Sequence, residues 1–163
     1  MQQIFAALGA AIVTYTGQNM VAGKYGRISL GVSSAVKISI IVSIDLLAVF
    51  WVFGGHIMSI FVKNTEIISI ATTGIQITSL FLISLSGVQI LRYMLNGAGD
   101  SVYALMNGAI EVIARVFLAI SLTAILFIGM WGIWLTTGLT WTLTAIFVLF
   151  RYKHGVWKSK TLI

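Results

Sequence analysis

The feature that most constrains this chain is a series of long apolar runs, near 30–54, 66–95, 101–127 and 130–151, with a shorter one near 2–17. A helix needs about 20 mostly apolar residues to cross roughly 30 Å of hydrocarbon. The long runs meet that length without interruption, whereas barrel strands would alternate polar and apolar residues over about ten positions. Only 9% of the 163 residues are charged and 59% are hydrophobic, against about 25% charged in ordinary globular chains. Too few charges are present to cover a water-soluble surface. The expectation is an all-α membrane protein, a bundle of about five transmembrane helices, forming one unit.

Loop chemistry separates the runs: Gly17-Gln18-Asn19 through Gly26-Arg27, then Gly54-Gly55-His56, then Asn96 through Asp100, and finally Gly129 to Gly132. The chain has no proline, so glycine must supply any flexibility. The net charge of +6 is spread over the ends of the runs instead of forming one basic stripe, which argues for membrane topology and against nucleic acid. Lys24 and Arg27 follow the first run, and Arg151, Lys153, Lys158 and Lys160 follow the last. His56, Lys63 and Glu66 follow the second run, Arg92 and Asp100 lie around the third junction, and Lys63 is the only clearly external basic residue. Lys and Arg accumulate in short cytoplasmic loops, so the expected protein is multi-pass in a bacterial cytoplasmic membrane, with its C-terminus inside and Met1 outside. The first stretch lacks the basic region of a secretory signal. An external amino end after a short first helix leads to the expectation of a chain truncated or fragmentary at its N-terminus.

Nothing in the chain has the pattern of an enzyme. Gly17 to Gly23 encloses one residue too many for a phosphate loop, and Tyr25 replaces the required Ser or Thr. His56 and His154 lie at expected membrane edges, and without a histidine beside an acid inside a helix a hydrolytic triad has no base. No cysteine is available for a disulfide or a thiolate metal site. The expectation is no cofactor and no bound metal, with membrane lipids as the immediate partners.

Ionisable groups inside apolar runs are the candidates for function, because burying one in a membrane is costly and marks a cavity or a partner. Asn107, Glu111 and Arg115 fall at i, i+4 and i+8, on one helix face, with Glu111 and Arg115 in the favourable order. They are expected to point into protein, either as a structural ion pair or as an element of ion coupling or gating. Asp45 lies near the middle of its run, where an unpaired carboxylate stays protonated or faces water. Lys37, eight residues earlier, is expected to snorkel to the membrane edge. Thr72, Gln76 and Ser79, with Ser86 beyond, form a polar stripe, and Thr136, Thr140 and Thr144 form another. Both read as interhelical hydrogen-bonding positions or as substrate lining. Trp51, Trp131, Trp134 and Trp157 are expected at interfaces, and Trp141 deep.

These residues resemble the MATE family of multidrug and toxic-compound extrusion transporters, within a wider group that includes lipid-linked oligosaccharide flippases. Three segments carry the likeness in order: Gly17-Gln18-Asn19 with Ala22-Gly23-Lys24 and Arg27, then Leu95 to Asp100, then Gly108, Glu111 and Arg115. Gly129 to Trp134, Trp141 and the basic tail follow. The resemblance implies a partial C-terminal lobe, from about the eighth to the twelfth helix of a twelve-helix transporter. The N-terminal lobe and the seventh helix would be partners. It further implies an organic cation as substrate, exchanged for Na⁺ or H⁺ by alternating access, and a lobe inactive alone. Ser101, Tyr103 and Ala104 depart from the family after Asp100, which is expected to cap the following helix. No coupling carboxylate of the family has a counterpart in the 66–95 run beyond Glu66. Lipid or oligosaccharide flipping, and a non-transporting membrane interaction subunit, remain alternatives.

Overall fold

The computed structural model describes residues 2–125, 129 and 131–159. Met1, residues 126 and 127 of the expected 101–127 run, residue 130 and Lys160 lie outside them. The described helices are α1 (Gln2–Val21), α2 (Tyr25–Phe61), α3 (Thr65–Ser79), α4 (Leu82–Gly97), α5 (Ser101–Thr123) and α6 (Trp131–His154), followed by a short 3₁₀ turn, Val156–Ser159. Four of these are long and apolar enough to cross a membrane, and α3 with α4 makes a fifth, bent span.

Helix α1 has 20 residues, so the first span is not short. The expected loop from Gly17 shrinks to Ala22-Gly23-Lys24. Gly17 is helical, and only Gly23 adopts a positive φ, of 65°. The Lys24 N–H donates back to the Asn19 carbonyl at 2.8 Å, a hydrogen bond six residues round that closes a helix through a left-handed glycine. The same device ends α4, where Gly99 has φ 80° and the Asp100 N–H donates to the Leu95 carbonyl at 2.9 Å.

Gly54-Gly55-His56 is not a loop. It lies inside α2, which runs 37 residues, about 55 Å at 1.5 Å per residue. Gly54 remains helical because α3 approaches there: a Cβ on Gly54 would stand 3.3 Å from the Thr72 methyl. Small residues serve such close approaches in membrane bundles. The true break is Val62-Lys63-Asn64. Asn64 starts α3 by accepting from the N–H groups of Glu66 (2.9 Å) and Ile67 (3.3 Å), as an N-cap does.

The 66–95 run is bent by 54° between α3 and α4. Without proline, the cause is side-chain competition for the backbone. The Thr78 and Ser79 hydroxyls donate back to the carbonyls of Gly74 and Gln76, a pattern that bends helices. Leu80 and Phe81 N–H groups then reach back only three residues, to Ile77 and Thr78. The Phe81 ring fills the space where a side chain on Gly138 of α6 would stand.

Helix α4 is the centre of the bundle, in contact with α1, α2, α5 and α6. One core cluster, around Val32, Ile90, Met94, Leu95, Val148 and Trp157, lies toward the end where α4 stops. A second, of Phe5, Phe50, Leu82, Leu85 and Trp141, lies farther along. Trp157 is therefore not an interfacial anchor: it is 1% exposed, stacks on Tyr152 and donates its indole N–H to the Tyr152 carbonyl at 3.0 Å. The α1–α2 turn, the α4–α5 turn and the end of α6 share one end of the bundle, joined by the Tyr25–Trp157 ring contact and by an Asp100–Arg151 ion pair. That end holds Lys24, Arg27, Arg151, Lys153 and Lys158, so the basic junctions do gather on one side.

Candidate functional site

Helix α5 buries only Ala104 and Asn107, so the rest of its length shows outward. Asn107 donates from Nδ2 to the Thr144 carbonyl of α6 at 3.2 Å, while its Oδ1 is buried without a partner. One turn on, Glu111 is 21% exposed, and Arg115, another turn on, is 43% exposed. The three do share a stripe, but it climbs from the core to the surface, and Arg115 does not point into this bundle. Its Nη2 meets Glu111 Oε1 at 2.9 Å.

A third charge joins them that local spacing could not reveal. Arg92 of α4 lies 3.6 Å from Glu111 Oε2, and its Nη2 donates to Gln89 Oε1, one turn earlier, at 2.8 Å. Arg92 read only as a junction residue at the end of an apolar run. The α4–α5 turn folds it back on the helix that carries Glu111. Two guanidiniums thus share one carboxylate, and the cluster keeps a net positive charge. Beside it, between α4 and α5, opens a cleft of about 620 Å³ whose walls include Arg92, Asn96, Ser101 and Gly108.

Asp100 does not cap α5 through its side chain. Its carboxylate is 2% exposed and turns instead to Arg151 of α6, whose Nε donates to Oδ2 at 2.8 Å. The Arg151 guanidinium lies 4.7 Å from the centre of the Tyr103 ring, and Tyr103 in turn stacks on Phe147 at 4.8 Å. A buried carboxylate with a guanidinium in reach is satisfied more completely by that ion pair than by backbone amides open to solvent.

Asp45 stands apart. The buried face of α2 runs through Ala35, Ser39, Ser43 and Phe50, and both Asp45 and Lys37 lie on the exposed side. Among the described residues Asp45 has no ion pair or hydrogen-bond partner. Lys37 is about 12 Å away along the helix axis. The carboxylate sits near the middle of the longest helix, surrounded on its face by exposed Ile41, Ile44 and Val49.

Gln76 faces α2 at partial burial, its Nε2 3.5 Å from the Trp51 carbonyl, at the limit of hydrogen bonding. The neighbouring Thr72 hydroxyl is buried and unpartnered. The expected hydrogen-bonding stripes mostly serve their own helices: Ser86, Thr136 and Thr144 donate to carbonyls three or four residues back. The side-chain ties between helices come elsewhere, as Thr142 to Ser84 (3.1 Å), Tyr103 to the Phe147 carbonyl (3.1 Å) and Tyr15 to the Arg27 carbonyl (3.0 Å). Among the described residues no three His, Asp or Glu side chains gather to hold a metal ion.

Residues 1–121 match the family model described as MatE, a span that takes in α1 to α4 and most of α5. Neither a curated protein nor a solved structure matches the chain.

Proposed function

The chain belongs to the MatE family, a family of transporters, and from that premise we propose that it forms one lobe of an exporter that exchanges organic cations for Na⁺ or H⁺. A second lobe completes the translocation path, and rocking of one lobe against the other opens the path alternately to each side. The lobe alone exports nothing. The basic end of the bundle lies in the cytoplasm of a bacterial cell, which puts the C-terminal tail inside.

The observation that supports this best is Asp45. A carboxylate exposed at mid-helix, without a partner, is costly against hydrocarbon, so its face of α2 borders a water-filled cavity. There it offers the negative charge that a coupling ion or a cationic substrate needs. The Arg92–Glu111–Arg115 cluster has the opposite net charge and repels cations. Its part is to hold α4 against α5 and to keep that side of the lobe closed to them.

The test is efflux of a cationic dye from cells stripped of their own exporters, with this lobe expressed beside its complementary lobe. Asp45→Asn should abolish ion-gradient-dependent efflux while the protein remains in the membrane. Undiminished efflux by that variant refutes the assignment.

A further inference from the structure

Lys37 carries a charge that the bundle does not use. It stands on the exposed side of α2, about 18 Å along the axis from the start of that helix at Tyr25. Among the described residues it has no ion pair or hydrogen-bond partner. An ammonium left against hydrocarbon is costly. Helical side chains lean toward the N-terminus of their helix, which for α2 is the basic end of the bundle. Lys37 therefore leans over Ser33, one turn back on the same face.

Ser33 lines a cleft of about 330 Å³ between α2, α4 and α6. Tyr152, in the last turn of α6, lines its near end, and Ile40 and Ile83 line its far end, about 20 Å from the basic end of the bundle. Between them the floor is apolar. The Ser86 hydroxyl is spent on the Ile83 carbonyl, and a Cβ added to Gly87 would meet nothing within 4 Å, so no neighbouring helix fills the slot. Lys37, between Ser33 and Ile40 on α2, stands on the rim. At about 100° per residue, Ser33 and Ile40 lie roughly 120–140° round α2 from Asp45. The cleft thus opens on a different flank from the one that carries Asp45.

An apolar slot with one unspent cation on its rim fits an amphiphile with a negative head. We propose that this cleft holds one acyl chain of an anionic phospholipid from the leaflet at the basic end, with Lys37 paired to its phosphate. The chain enters between Tyr152 and Ser33 and runs past Gly87 toward Ile40 and Ile83. Lys37 leans back to meet the head, and Lys24, Arg27 and Lys153 at the same end of the bundle draw anionic headgroups toward it. A zwitterionic lipid has the chain but brings its own ammonium, so it gains less from Lys37. The proposal is independent of what the lobe transports.

The test is native mass spectrometry of the detergent-purified chain offered equal amounts of phosphatidylglycerol and phosphatidylcholine with the same acyl chains. Phosphatidylglycerol should be retained in preference. Lys37→Gln, at an exposed position that folding does not depend on, should reduce that preference by about fivefold, the effect of one lysine beside anionic headgroups. Lys37→Arg should keep it. Gly87→Leu, which fills the slot, should reduce retention of both lipids while circular dichroism shows unchanged helical content. Lys63→Gln removes the same charge at the opposite end of the bundle and should change nothing. Equal retention of the two lipids, an undiminished preference in Lys37→Gln, or an equal loss in Lys63→Gln overturns the proposal. So does wild-type retention by Gly87→Leu. Displacement of the lipid when the chain is purified together with its complementary lobe likewise overturns it and assigns the cleft to a protein contact.

Discussion

Arg151 Nε donates to Asp100 Oδ2 at 2.8 Å, so a buried ion pair fastens the α4–α5 turn to the last turns of α6. The contact joins residues 51 positions apart and closes the end of the bundle where the α1–α2 turn, the α4–α5 turn and the end of α6 meet. Arg151→Ala should therefore destabilise the chain strongly, by about 3 kcal/mol, because it takes the ion-pair partner from a buried carboxylate. Thermal unfolding in detergent measures this. Asp100→Asn combined with Arg151→Gln should recover part of the loss, since a neutral amide is cheaper to bury than a carboxylate that has lost its guanidinium.

Phe81 occupies the space beside Gly138 at the bend between α3 and α4. Gly138→Val should displace the ring and cost about 1–3 kcal/mol through overpacking. Gly87, where an added Cβ meets nothing within 4 Å, provides the contrast: Gly87→Ala should be neutral or slightly stabilising in the same unfolding measurement, because alanine is the better helix former.

Glu111 and Arg115 are partly exposed, and exposed ion pairs contribute at most about 1 kcal/mol. Glu111→Gln should leave expression and helical content close to wild type. Changed ion dependence of efflux in this normally folded variant would assign Glu111 to coupling; unchanged dependence would leave it the tie between α4 and α5. Circular dichroism and dye efflux at several Na⁺ concentrations distinguish the two.

Much of the architecture was legible because membrane spans are written in composition: apolar runs of helical length announced the helices, and Lys24, Arg27, Arg151 and Lys153 announced a common basic end. The errors have identifiable physical causes. Gly54-Gly55-His56 carries turn residues, yet a helix keeps its glycines where another helix, here at Thr72, comes close. The bend at Leu80-Phe81 carries no proline or glycine, and arises from Thr78 and Ser79 back-bonding together with Phe81 seating on α6. At the candidate site, Glu111 and Arg115 could be paired from their spacing alone. Arg92 could not, because its approach to Glu111 depends on how the α4–α5 turn folds back, and Asp100 chose Arg151 over its own helix for the same nonlocal reason.

Water access at position 45 tests the central claim most directly, and the absence of cysteine from these 163 residues leaves the lobe itself without background labelling. In native membranes containing the assembled transporter, Asp45→Cys should react with a membrane-impermeant maleimide. Phe117→Cys, on the apolar outer face of α5, should not. Labelling at 45 but not at 117 places the middle of α2 on an aqueous path. A folded Asp45→Cys protein that stays unlabelled from both sides of the membrane contradicts it.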